Sequence, residues 1–123
     1  MAELLTALGL ILSMDASGAA AYMPESFTGN VLYCDGRSSP AGTLYYSADL
    51  AWATMPIRDF ESGRVRCGDL AVVSFEDGRV LFLPVLDASM LHVRESYLGV
   101  PFVVELPEHV NSTTERVRVS VWR

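Results

Sequence analysis

The chain has 123 residues, half of them hydrophobic, which suits one domain burying about two thirds of its unfolded surface and is too apolar for disorder. Its formal net charge is −6, and all nine basic residues are arginines. That balance lacks the basic face a nucleic-acid protein needs and disfavours adhesion to an anionic membrane.

The N-terminus opens with an apolar run, Leu4 to Met14, followed by the small residues Ala19-Ala20-Ala21. The run has the length of a signal-peptide core, but Glu3 stands where such a peptide is positive. Asp15 ends the run short of the roughly 20 apolar residues a bilayer requires, so no stable membrane span is expected. Two readings stay open. Residues 1–18 are either a degenerate export signal cut near Ala19–Ala21, or a retained helix packed on the domain or on a neighbouring subunit through residues 2–14.

Residues 19–123 then form the domain proper, with no repeat, linker or low-complexity tract. Short segments punctuated by Gly and Pro follow one another: Thr28 to Tyr33, Thr43 to Tyr46, Ala51 to Ala53, Asp69 to Phe75, Arg79 to Leu86, Val100 to Leu106 and Val117 to Trp122. Many short strands at even spacing predict a small all-β barrel or sandwich. Helix is expected in the apolar N-terminus and over Pro107 to Asn111.

The clearest element is the hairpin from Asp69 to Leu86. Glu76-Asp77-Gly78 separates two apolar runs, and Asp-Gly is the strongest short-range hairpin signal because Gly tolerates a positive φ. Pro84 within the second strand predicts an edge or a bulge. Asp87 follows the run directly, where a β-scaffold can hold an acid at the mouth of a groove, although most strand-end acids are solvated or cap a backbone N–H. Phe82, Leu83, Val85 and Leu86 are the expected apolar wall that raises its pKa.

Two cysteines, Cys34 and Cys67, allow one intramolecular bridge whose closure entropy is about 3.7 kcal/mol; two buried free thiols are the alternative. Two Cys and two His at scattered spacing give no zinc pattern, so neither metal nor cofactor is expected. Nucleophile elbows and phosphate loops are missing too.

Taken in order, several segments resemble the double-psi β-barrel superfamily of rare lipoprotein A, barwin and the expansins. Ala19 to Cys34 is similar to its opening Ala-x-Tyr-Tyr run with a later Gly and Cys. Leu50-Ala51-Trp52-Ala53-Thr54-Met55-Pro56 resembles Ala-Ala-His-x-Thr-Leu-Pro, and Cys67-Gly68-Asp69-Leu70-Ala71-Val72 resembles Gly-Thr-x-Val-x-Val. Val104-Glu105-Leu106-Pro107 occupies the place of Ile-Asp-Leu-Ser. The resemblance implies an all-β, six-stranded double-psi barrel from about Ala19 onward, with cysteines often near Cys34 and Cys67.

In the lytic transglycosylases and endoglucanases of that superfamily, an Asp at the place of Asp87 protonates a glycosidic oxygen. The resemblance therefore implies Asp87 as general acid, with Glu105 as a second carboxylate of the kind glycosidases use. Trp52 replaces the family His and cannot shuttle a proton; an exposed indole would stack on a sugar, and a buried one would be core. Tyr33 is a further candidate substrate contact, with Tyr22, Tyr45 and Tyr46 either lining the groove or filling the interior. Two functions follow: a secreted or cell-envelope enzyme of bacterial or phage origin acting on peptidoglycan or another polysaccharide, or a non-catalytic glycan-binding or virion-assembly barrel.

Overall fold

The computed structural model describes residues 2–23, 32–34, 52–107 and 114–123. Its strands close into a six-stranded barrel with a few short helices outside, so the all-β expectation holds. In chain order the elements are α1 (Ala2–Ala7), β1 (Leu12–Met23), β2 (Ala53–Pro56), α2 (Ile57–Glu61), β3 (Leu70–Phe75), β4 (Val80–Ser89), α3 (His92–Leu98), β5 (Val103–Pro107) and β6 (Glu115–Trp122). Around the barrel they run β1-β5-β2-β4-β3-β6. The pairs β1/β5 and β2/β4 are parallel and the rest antiparallel, so the connections must cross the barrel.

Strand periodicity sets the core. Successive residues point to opposite faces, so Met14 and Ala20 of β1, Ala53 and Met55 of β2, and Ala71, Val73 and Phe75 of β3 point inward. They meet Leu83 and Val85 of β4, Phe102 and the β5 residues Val104 and Leu106, and Val117, Val119 and Val121 of β6. Fully burying each of the larger aliphatic side chains contributes about 1.5–3 kcal/mol. The intervening residues face outward. Val72 and Trp122 form a small patch covered by Leu5 of α1, and Ala21 and Val103 form another covered by Leu91 at the start of α3.

The Asp69–Leu86 hairpin forms as expected, as β3 and β4 paired from Leu70↔Pro84 to Ser74↔Val80. Gly78 takes φ +94°, and the Gly78 and Phe75 N–H groups donate to the Phe75 and Arg79 carbonyls at 3.1 and 2.9 Å. This is a three-residue loop closed by a left-handed glycine. Asp77 stiffens it by accepting the Arg79 N–H at 3.0 Å, and the Arg79 guanidinium continues to Glu115 at 2.7 Å.

Three expectations are corrected. The barrel does not begin at Ala19: β1 starts at Leu12, and its residues 12–20 pair with β6, so the boundary at residue 18 falls inside a strand. Ala19 and Ala20, where the export-signal alternative would place cleavage, are paired with β6 on one side and β5 on the other. The N-terminal helix is only Ala2–Ala7, and Leu4, Leu8 and Ile11 around it are exposed. Helix was expected only in the N-terminus and over Pro107 to Asn111, but short helices α2 and α3 also form, each burying one face on the barrel. The strand at Thr43–Tyr46, most of Thr28–Tyr33 and the turn after Pro107 lie outside the described residues.

At Gly18, β1 passes so close to the chain before β5 that a Cβ would sit 1.9 Å from the Phe102 carbonyl oxygen. The same carbonyl accepts the Ala19 N–H at 3.0 Å, so Gly here permits the hydrogen bond that locks β1 onto β5.

Candidate functional site

The site is made by an irregularity in β4. Leu81, Leu83 and Val85 alternate toward the interior, and unbroken alternation would drive Asp87 into the same apolar core. Instead, β2 pairs Ala53 with Val85 and then Thr54 with Asp87, so Leu86 is an extra residue on β4. This bulge, two residues past Pro84, turns Asp87 to the outer face beside Thr54. An edge or bulge was expected at Pro84 itself, but Pro84 pairs in register with Leu70 and the bulge falls two residues later, at Leu86. Asp87 is not at a strand end, however, since β4 runs on to Ser89.

On that face Asp87 accepts two hydrogen bonds, from the Tyr33 backbone N–H to Oδ1 at 2.9 Å and from the Thr54 hydroxyl to Oδ2 at 3.2 Å. The Thr54 oxygen in turn accepts the Trp52 indole N–H at 3.0 Å. Thr54 is fully buried, so Trp52 and Asp87 together satisfy a hydroxyl that has no access to water. On the opposite flank of β2, Thr54 pairs with Glu105 of β5. Asp87 and Glu105 therefore flank one residue, their backbones about two strand spacings, roughly 10 Å, apart. Glu105 is 6% exposed and pairs with the Arg94 guanidinium of α3 at 3.3 Å.

Both acids are held above the usual carboxylate range. For Asp87 burial is the main cause, opposed by the Tyr33 N–H, the Thr54 hydroxyl and the Ala88 N–H. Burial also dominates at Glu105, where Arg94 pulls the other way and the charge of Asp87 adds to the rise. The two carboxylates thus feel one another.

Of the expected wall, only the half-buried Leu86 lies next to Asp87. Leu83 and Val85 face the barrel interior, and Phe82 is 49% exposed. The bulge puts Asp87 on the other side of the sheet from Leu83 and Val85, where the Tyr33 N–H and the Thr54 hydroxyl bind it. Trp52 is 1% exposed, so its indole offers no face for a sugar and acts through Thr54. Tyr33 is 37% exposed, and its ring packs on Phe60 at a centroid distance of 5.0 Å. Cys34 and Cys67 are disulfide-bonded, with Cα atoms 5.7 Å apart.

Sequence reasoning missed Thr54 and Arg94. Thr54 had a signal, being the one polar residue among the buried Ala53, Met55 and Pro56. Arg94 had none, because it reaches Glu105 only through the docking of α3. That helix turns Leu91 and Glu95 inward, Glu95 binding Arg58 of α2 through two contacts of 2.7 Å. Val93 and Tyr97 stay exposed, as does Met90 just before the helix.

Two shallow hollows of about 410 Å³ each meet at Ser17, Gly18 and Arg116, away from both acids. Glu115, at the rim of one, is already held by Arg79 and Tyr22, so neither hollow offers a free acid pair. Among the described residues no cluster of three or more His, Cys, Asp or Glu is placed to hold a metal ion, and no helix is long and apolar enough to cross a membrane. No protein-family model matches the chain, and no curated protein matches it significantly.

Proposed function

We propose that this chain is a double-psi-type barrel that protonates a glycosidic oxygen of peptidoglycan or a similar polysaccharide, with Asp87 as general acid and Glu105 as its partner. One observation carries the reading: Asp87 and Glu105 flank the buried Thr54, and both are pushed toward the protonated form. Two parallel strand pairs within a closed six-stranded barrel support the resemblance.

The environments of the two acids divide their roles. Glu105 faces the Arg94 cation, which favours its charged form, whereas Asp87 faces neutral donors. In this reading Asp87 donates a proton to the leaving oxygen, and Glu105, beside Arg94, stabilises positive charge developing on the sugar ring. Tyr33, exposed beside Asp87, contacts the glycan; Trp52 positions Thr54 and does not touch it. The disulfide supports a secreted or cell-envelope setting.

The test is release of soluble glycan fragments from purified peptidoglycan, read by mass spectrometry. Asp87→Asn should lower the rate by about a hundredfold or more, because an amide cannot donate the proton. Absence of products from the wild-type protein would overturn the enzymatic reading.

A second reading is a non-catalytic glycan-binding or virion-assembly barrel. The observation that favours it is Trp52, buried where the family carries a His, so that among the described residues no histidine stands at that position to carry a proton to or from Asp87. Binding of oligosaccharides without turnover, weakened by Tyr33→Ala, would select it.

A further inference from the structure

The bulge that aims Asp87 is gripped from two sides. On one side lie residues 32–34: the Cys34 N–H donates to the carbonyl of the extra residue Leu86 at 3.0 Å, and the Tyr33 N–H donates to Asp87 at 2.9 Å. On the other lies the turn before β3, where the Gly68 N–H donates to the Val85 carbonyl and the Val85 N–H donates to Asp69, both at 2.8 Å. Three consecutive residues of β4, Val85 to Asp87, are thus held by two loops remote in sequence. The Cys34–Cys67 bond joins those two loops. Leu32 and Cys34 are buried, 3% and 0% exposed, so the first loop is packed down and not merely tethered.

We propose that the Cys34–Cys67 disulfide is a positioning element for Asp87, clamping the bulge so that the Tyr33 N–H stays on the carboxylate, and that its reduction by a dithiol releases this clamp. In the reduction the dithiol supplies two electrons and two protons. The S–S bond breaks to give two protein thiols, and the dithiol becomes a disulfide. The effect proposed is one of position and solvent access at Asp87.

Of the titratable and charged groups around Asp87 among the described residues, Glu105 comes from β5 and is backed by Arg94 of α3, while Tyr33 comes from the clamped loop; β2 and the residue before it contribute the neutral Thr54 and Trp52. With the loop released, Glu105 and Arg94 stay in place. What changes is the cover over Asp87, and burial is the main force holding its proton. The freed carboxyl returns toward the ordinary range and loses its proton at a lower pH. The inference needs no glycan: it concerns the acid whatever the substrate.

The experiment is amide hydrogen exchange together with a ¹³C titration of the Asp87 carboxyl, on the oxidised protein, the protein reduced with dithiothreitol, and a Cys34→Ala/Cys67→Ala variant. The Tyr33 and Cys34 amides should lose protection by at least about tenfold while Val73 and Val119 inside the barrel stay protected. The Asp87 titration should move to lower pH. Unchanged protection at Tyr33 in the bond-free protein overturns the proposal. If the bond-free protein does not fold, Tyr33→Pro with the bond intact decides: loss of the N–H alone must raise the Asp87 pKa further, and an unchanged titration overturns the link. A protein that behaves this way yet releases no glycan refutes the proposed activity and leaves the clamp standing.

Discussion

Replacing Asp87 by Ala tests the electrostatics of the site through stability, without any substrate. The substitution strips the acceptor from the Thr54 hydroxyl, which is fully buried, and from the Tyr33 N–H, which lies where water can reach it. A buried group left unsatisfied costs about 1–3 kcal/mol, whereas water replaces most of what the Tyr33 N–H loses. We therefore expect a loss of about 2 kcal/mol in acid, where Asp87 is neutral in both the folded and the unfolded chain. The folded pKa is raised, so the native state holds the proton over a window where the unfolded chain has released it. Stability contributed by this residue then falls as pH rises through that window. The penalty of Asp87→Ala should accordingly be smaller at about pH 8 than at about pH 3, and Asp87→Asn, whose amide oxygen can still accept from the Thr54 hydroxyl, should stay within about 1 kcal/mol of wild type. Urea unfolding of the three proteins across this range measures it. A penalty that grows with pH would mean that the fold stabilises the charged carboxylate, and the reasoning would fail.

Three further outcomes follow from the packing. Gly18→Ala should destabilise the barrel by more than about 2 kcal/mol, because its Cβ would lie 1.9 Å from the Phe102 oxygen and only a backbone shift can relieve that; thermal unfolding reads it, and a neutral result would contradict the close approach. Trp52→Phe should cost about 2 kcal/mol by removing the donor to Thr54 and leaving space in a buried site, with the largest amide shifts at Thr54 and Asp87. A chain lacking residues 1–21 should fail to give a cooperative unfolding transition, since it loses the part of β1 paired with β6; a folded truncated protein would contradict this register.

The hairpin could be read from the sequence because its signals are local: an Asp-Gly turn between two apolar runs needs only its own φ to form. The last strand was similarly plain, since Val117, Val119 and Val121 alternate with polar residues. The start of β1 was hidden, because Leu12 to Gly18 continues an apolar run whose length also fits a helix or an export signal, and only its pairing with β6 decides the matter. At the site, Asp87 stood out as an acid directly after an apolar run, and Glu105 was reached through the resemblance alone. Their meeting around Thr54 depends on a parallel pairing and a bulge, neither of which leaves a local trace beyond Pro84. Burial of Trp52 was equally out of reach, because either face of a short strand can be the covered one.

The most direct test of the central claim, that burial on the barrel raises the pKa of Asp87 so that it can serve as the acid, is a ¹³C titration of side-chain carboxyls in the oxidised wild-type protein. The account predicts that Asp87 titrates clearly above about 3.9, the ordinary value for an aspartate. It also predicts that Arg94→Gln raises Glu105 further, because it removes the opposing cation. Titration of Asp87 at or below the ordinary value would remove the proton donor and contradict the account.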